Sequence, residues 1–134
     1  MDNTPLVEKK LVHRSRMAIR WGDMDAFGHV NNTVYFRYIE QARIEWMESL
    51  GGNLAGEQGP VLVNAQCTFL SQLTYPGEIE VTCYTGVSGR SSIETMYEIR
   101  RTDTPDMLVA EGTAKVVWID FKLGKSTPLP DLLR

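Results

Sequence analysis

The stretch Gly22-Asp23-Met24-Asp25-Ala26-Phe27-Gly28-His29-Val30-Asn31-Asn32 gathers two carboxylates, an imidazole and two side-chain amides directly ahead of a long apolar-periodic run. A carboxylate in a short loop can serve as a nucleophile or as a general base on water. The first amides of a helix lack intrahelical acceptors, so those near Val30 to Thr33 are ready donors to an anion forming beside them. On residue types alone, Asp25 could equally be a loop carboxylate that caps the helix. Asp23 reads as a structural acid satisfying loop amides, and Gly28 as the residue that lets the loop turn tightly. Asn31 and Asn32 suit the cap position, and Asn32 could also order a water. His29, four residues after Asp25, is either a loop-packing histidine or a participant in the chemistry.

These side chains need a frame. Asn32 to Leu50 contains no Pro or Gly, and Gly51-Gly52 stops the run. Tyr35, Tyr38, Ile39, Ala42, Trp46 and Leu50 follow spacings of three and four, which predicts a helix with one apolar stripe. Arg37, Gln41, Glu45 and Glu48 occupy other faces. At about 1.5 Å per residue the helix spans roughly 30 Å, enough to cross a small domain. Ahead of it, His13 to Trp21 alternates, placing Met17, Ile19 and Trp21 opposite Arg14, Arg16 and Arg20, and predicts a first strand. Residues 1–11 read as a loose or edge-packed lead-in.

A Gly-rich connection over 51–60 follows the helix and could rim a pocket. The period then changes to two. Val61 to Leu70 predicts a long, half-buried strand; Tyr75-Pro76-Gly77 predicts a turn. Ile79 to Val87 is a third strand that Gly86 and Gly89 end or bend, and Ser92 to Thr102 is a fourth. After an Asp103-Thr104-Pro105-Asp106 turn, Met107 to Phe121 reads as the last and longest strand, with Gly112 a bulge or a point of close backbone approach. A sheet of that size needs one face covered, and the single long helix is the only cover available. The expected fold is α+β, one domain over residues 1–134, with an antiparallel five-stranded sheet wrapped around a central helix.

Composition is that of a globular protein: 43% hydrophobic, 23% charged, with a formal net charge of −3 over 134 residues. Such a charge gives no support for non-specific nucleic-acid binding. No apolar run reaches the roughly 20 residues of a membrane span, and the first residues lack an apolar signal-peptide core; the cytoplasm is the expected location. Cys67 and Cys83 make neither a disulfide framework nor a metal pattern, and each reads as a buried core thiol. No metal and no cofactor are expected. Asn31-Asn32-Thr33 has the form of a glycosylation acceptor, which has no meaning in an unsecreted chain.

The Asp-x-Asp-x-x-Gly-x-Val segment before a long helix, followed by the strands, resembles the hotdog-fold acyl-CoA thioesterases over Arg14 to Pro130. Within them it resembles the 4-hydroxybenzoyl-CoA thioesterase-like branch that includes the Tol-Pal-associated short-chain enzymes. The resemblance implies hydrolysis of an acyl-CoA thioester, with Asp25 as the catalytic carboxylate and a backbone amide near Asn32 polarising the thioester carbonyl. It also places a helix carboxylate, Glu40, near the acyl group. The chain departs from that branch at His29, Asn31 and Asn32; His-Val-Asn-Asn is closer to plant-type acyl-ACP thioesterases, in which an Asn and a His are catalytic. The implied catalytic set is Asp25, His29 and Asn32, with Gly28, Val30, Asn31 and Glu40 around the substrate.

Gly89-Arg90-Ser91-Ser92 offers a cation and small donors. Arg90, Ser91 and Ser92 could hold a CoA phosphate or the pantetheine arm, or simply form a hairpin turn. Relatives pair edge to edge as dimers and often tetramers, so a homodimer or homotetramer is expected. An acyl-ACP thioesterase, or a non-catalytic acyl-CoA-binding module of the same fold, are the alternatives.

Overall fold

The computed structural model describes residues 9–51 and 56–134. The strands are β1 (Lys10–Ala18), β2 (Gln58–Phe69), β3 (Glu78–Ser88), β4 (Ser92–Arg101), β5 (Ala110–Asp120) and a short β6 (Lys125–Ser126); the one long helix is α1 (Asn32–Ser49). The sheet is antiparallel, ordered β1-β3-β4-β5-β2, with β6 added on β5. This is the helix-in-sheet arrangement that the hotdog resemblance implies.

The apolar periods meet across one interface. Tyr35, Tyr38, Ile39 and Ala42 of α1 bury against Ile79, Val81 and Cys83 of β3, Tyr97 and Ile99 of β4, and Ala110 and Ala114 of β5. A second cluster joins Trp46 and Met47 to Ile93, Val116 and Trp118, and the tail adds Leu129 and Leu133. Burial of these large side chains, each worth about 1.5–3 kcal/mol, is what holds a marginal amphipathic helix in place. Gly112 is a point of close approach: a Cβ there would lie 2.9 Å from Ile39 Cδ1 and 3.0 Å from the Gln66 carbonyl. It pairs in regular register with both Tyr97 and Cys67, so it is a contact point and no bulge. The register shifts fall at Leu11/His13, Leu62/Asn64 and Thr85/Ser88.

Several expectations are corrected. The first strand begins at Lys10 and ends at Ala18, because the chain then enters a 3-10 turn over Trp21–Asp23. Trp21 therefore leaves the inward row of Met17 and Ile19 and is 73% exposed. Met47, not Leu50, completes the buried helix stripe; Leu50 is the half-buried C-cap. The longest strand is β2, at 12 residues against 11 for β5, since residues 107–109 precede the ladder. Cys83 is buried, whereas Cys67 on the edge strand is only half-buried. Burial pushes the Cys83 thiol up to about 12. In the tail, Leu129 and Leu133 seal the second cluster. Positions 52–55 of the Gly-rich connection and 1–8 of the lead-in lie outside the described residues.

The half-buried reading of the second strand also fails. Val61, Leu62, Val63 and Phe69 are between 38% and 55% exposed. Among the described residues β2 is an edge strand, flanked on one side only, by β5.

Candidate active site

The segment ahead of α1 closes on itself through its own backbone. Asp25 N donates to His29 O (2.8 Å) and Gly28 N to Asp25 O (3.1 Å), while Met24 and Val30 form an antiparallel bridge. Gly28 has φ +82, a left-handed conformation that glycine adopts without strain. Phe27 N donates to Asp25 Oδ1 at 2.8 Å, an Asx turn that fixes the carboxylate. Among the described residues Oδ2 receives no hydrogen bond, so one carboxylate oxygen is held and the other is left open. Asp23 is spent on structure: Oδ2 accepts from Arg20 N (2.8 Å) and from the Tyr38 hydroxyl (2.7 Å), and its carbonyl accepts from Asn31 N. Burial, then the Asp23 carboxylate, pushes the Tyr38 phenol far up. Asp23 thus takes the loop-satisfying role expected of it.

Of the four amides near the helix start, three have acceptors outside the helix. Val30 N donates to Leu73 O (2.9 Å), Asn31 N to Asp23 O (3.0 Å) and Thr33 N to Asn31 Oδ1 (3.0 Å). Asn31 is the N-cap. The amide of Asn32, the first helical residue, has no acceptor among the described residues. The dipole and the orphan N–H coincide there.

Asp25, His29, Val30 and Asn32 line one depression of about 380 Å³ together with Phe27, Tyr35, Phe69, Leu70, Ser71 and Gln72. Gly28 and Asn31 shape it without lining it. Sequence reasoning missed its second wall. Phe69 and Leu70 read as strand, Tyr35 as core, and the polar pair Ser71-Gln72 set between two leucines was the signal available. Leu70 N and Ser71 N both donate to Val109 O, which holds that wall against the start of β5. The Tyr35 ring packs edge-on to Phe69, centroids 5.0 Å apart. Burial raises the Tyr35 phenol, offset in part by the hydrogen bond it accepts from Leu73 N at 3.3 Å.

Two sets of candidates lie elsewhere in the subunit. Glu40 lines a separate groove of about 530 Å³ between α1 and β1, where it pairs with Arg37 at 3.5 Å. Arg90, Ser91 and Ser92 sit at the far end of the sheet. Ser92 pairs with Val117, whereas Ile99 pairs with Ala110 beside the depression; seven residues of strand separate them by roughly 23 Å. There the hairpin ties down the tail: Leu129 N and Arg134 Nη2 donate to Arg90 O, and Trp118 N donates to Ser91 O. Among the described residues no three His, Cys, Asp or Glu side chains are grouped to hold a metal.

A fixed carboxylate with an open oxygen, in one depression with a residue whose helix-terminal amide is unengaged, suits attack on a carbonyl whose oxygen gains charge. Comparison with known proteins points the same way. The family model of the thioesterase-like superfamily matches residues 19–134. A thioesterase candidate from Pseudomonas aeruginosa has the same structure with TM-score 0.90 and 40% identity, over 93% of this chain and 97% of that one. An acyl-CoA thioesterase candidate from Xanthomonas campestris gives TM-score 0.78 and 33% identity, over 83% and 95%. The chloroplastic acyl-acyl carrier protein thioesterase ATL2 of Arabidopsis thaliana is 29% identical over 127 residues, 91% of this chain and 66% of its own length. The chain spans between 57% and 66% of the length of the curated relatives it matches.

Proposed function

The chain belongs to the thioesterase-like superfamily, and from that membership we propose that it hydrolyses an acyl-CoA thioester to the free acid and CoA. The observation that carries the reading is the pairing of Asp25, one oxygen held by Phe27 N and the other open, with the unengaged amide of Asn32 in one depression. In this mechanism Asp25 delivers the attack, directly or through a water it deprotonates. The Asn32 amide receives the oxyanion and CoA leaves as the thiolate. Losing one such donor costs on the order of a hundredfold or more in rate, which is why an orphan amide at that place counts. His29 shares the depression and assists in placing water or the leaving group. The names of relatives divide between CoA and acyl carrier protein, so the acyl-ACP reading stands as the second one, carried by the extended likeness to ATL2.

We also propose a homodimer through β2. All 12 residues of that edge are uncharged, whereas the opposite edge, β1, carries Lys10, Arg14 and Arg16, the usual guard against pairing. Two-fold pairing of antiparallel β2 strands sets the Phe69 end of one against the Gln58 end of the other. The 90–92 hairpin of one protomer then comes toward the Asp25 end of its partner. This supports a role for Arg90, Ser91 and Ser92 on the carrier that the single subunit does not provide.

The test is thiol release over a panel of acyl-CoA and acyl-ACP substrates, with Asp25→Asn beside wild type. Turnover by the wild type and a loss of about 10²- to 10⁴-fold in kcat for the variant are expected. Tight acyl-CoA binding without turnover would sink the enzyme reading, leaving a binding module. Full activity in a folded Asp25→Asn variant would move the attack to another residue.

A further inference from the structure

The buried Tyr35 phenol is not used by the mechanism, yet it lies where three parts of the depression meet. Tyr35 is 3% exposed and stands three residues after Asn32, hence on the same face of α1. Its oxygen accepts the Leu73 amide at 3.3 Å, and Leu73 O in turn accepts Val30 N at 2.9 Å. Leu73 is thus fastened by its amide to the helix and by its carbonyl to the carboxylate loop, and its side chain is fully buried. Val30 passes the tie on, since it bridges Met24 and borders the turn that holds Asp25. On the other side, Ser71 and Gln72 line the depression immediately before Leu73. A hydrophobic contact in the same place would fix the distance less sharply than a hydrogen bond does, and a core position did not need a hydroxyl.

We propose that Tyr35 is a positioning residue for the hydrolysis: through the Leu73 backbone, its hydroxyl sets the Ser71–Gln72 wall against Asp25 and the Asn32 amide. The inference rests on the thioesterase reading above. It assigns the hydroxyl no proton transfer. The thioester is seated by this wall, and a displacement of about 1 Å in such a wall can cost on the order of a hundredfold in rate.

The experiment compares wild type, D25N and Y35F on one acyl-CoA that the wild type cleaves. The Y35F variant keeps the ring and its edge contact with Phe69 and removes only the acceptor. Its kcat is expected to fall about tenfold to a hundredfold with KM within about twofold, and the midpoints of its pH profile are expected to stay in place. Hydrogen exchange at the Leu73 amide should quicken. A folded Y35F enzyme with wild-type kcat overturns the proposal, as does a kcat loss that comes with a moved pH midpoint, which would make the phenol an acid or base. Should Y35F not fold, fluorotyrosine at position 35 retains the hydroxyl as a weaker acceptor; reduced kcat is expected, and wild-type kcat again overturns the inference. Absence of turnover in the wild type instead defeats the thioesterase reading itself, so the two failures are distinct.

Discussion

Asp23 and Asp25 are two positions apart in the chain and end in different company. Asp23 accepts a backbone amide and the Tyr38 phenol, both at Oδ2, ties that commit it to the loop and the helix; Asp25 accepts one loop amide at Oδ1 and lines a depression. The same contrast of commitment governs Glu45, on the middle of α1. Burial acts to raise its pKa, but the Ser15 hydroxyl shared between both carboxylate oxygens (2.8 and 2.9 Å), a hydrogen bond from Gln41 (3.1 Å) and His13 at 3.4 Å outweigh it, and the carboxyl is held below its ordinary range. A depressed folded pKa stabilises the fold at pH above the unfolded carboxylate's value, and the contribution is lost as pH falls through the folded value. Glu45→Gln is therefore expected to lower stability by about 1 kcal/mol near neutrality, the scale of one such hydrogen bond. The gap to wild type should close as pH falls below about 4. Thermal melts of both proteins across pH read this out; a gap that stays constant into acid would show that the charge is not what Ser15 and His13 hold.

At the scale of elements, α1 is the piece that period alone identifies. Its span of Asn32–Ser49 and its buried Tyr35, Tyr38, Ile39, Ala42 and Trp46 follow from spacing. What spacing does not convey is how closely the helix meets the sheet, and at Gly112 the Ile39 side chain leaves no room for a Cβ. The Ile39 side chain could yield to a new methyl, but the Gln66 carbonyl belongs to a neighbouring strand and cannot move alone. Gly112→Ala is expected to cost about 1–3 kcal/mol, the range of overpacked cores. Ile39→Val in that background should recover part of the loss by removing the nearer clash. Denaturant midpoints of the two single variants and the double variant measure it. Additive losses would mean that the helix does not press on Gly112.

For the whole molecule, the two sheet edges differ in kind. β1 is guarded by basic side chains, while β2 presents Val61, Leu62 and Val63 to solvent and no charge along its length. An exposed strand of that character invites another strand. Leu62→Lys should convert the proposed dimer to a monomer, halving the mass seen by light scattering, and thiol release should fall with it because one protomer's 90–92 hairpin no longer reaches the other's depression. A Leu62→Lys variant that becomes monomeric and keeps full activity would confine the working site to one chain.

The sequence by itself determined the helix and the strands, and offered Asp25 as the candidate acid. Periods of 3.6 and 2 are local properties, and so is the choice of Gly28 and Asn31 for a left-handed turn and a cap; all of them are legible because backbone sterics and nearest-neighbour hydrogen bonds decide them. The order of one helix and many strands then left only one way to cover the sheet. Tertiary structure alone decided which amide stays unengaged, since Val30 N is taken by Leu73 and Asn31 N by Asp23, partners that no spacing rule relates. It also put Ser71, Gln72 and Tyr35 beside Asp25, and sent Glu40 and Arg90 elsewhere in the subunit. The apolar alternation of β2 marks a strand correctly but cannot say whether its partner surface is in the same chain, because burial depends on what the sheet's edge meets. A strand's period records that it needs a neighbour; only the assembled sheet shows that, among the described residues, β2 lies at its edge.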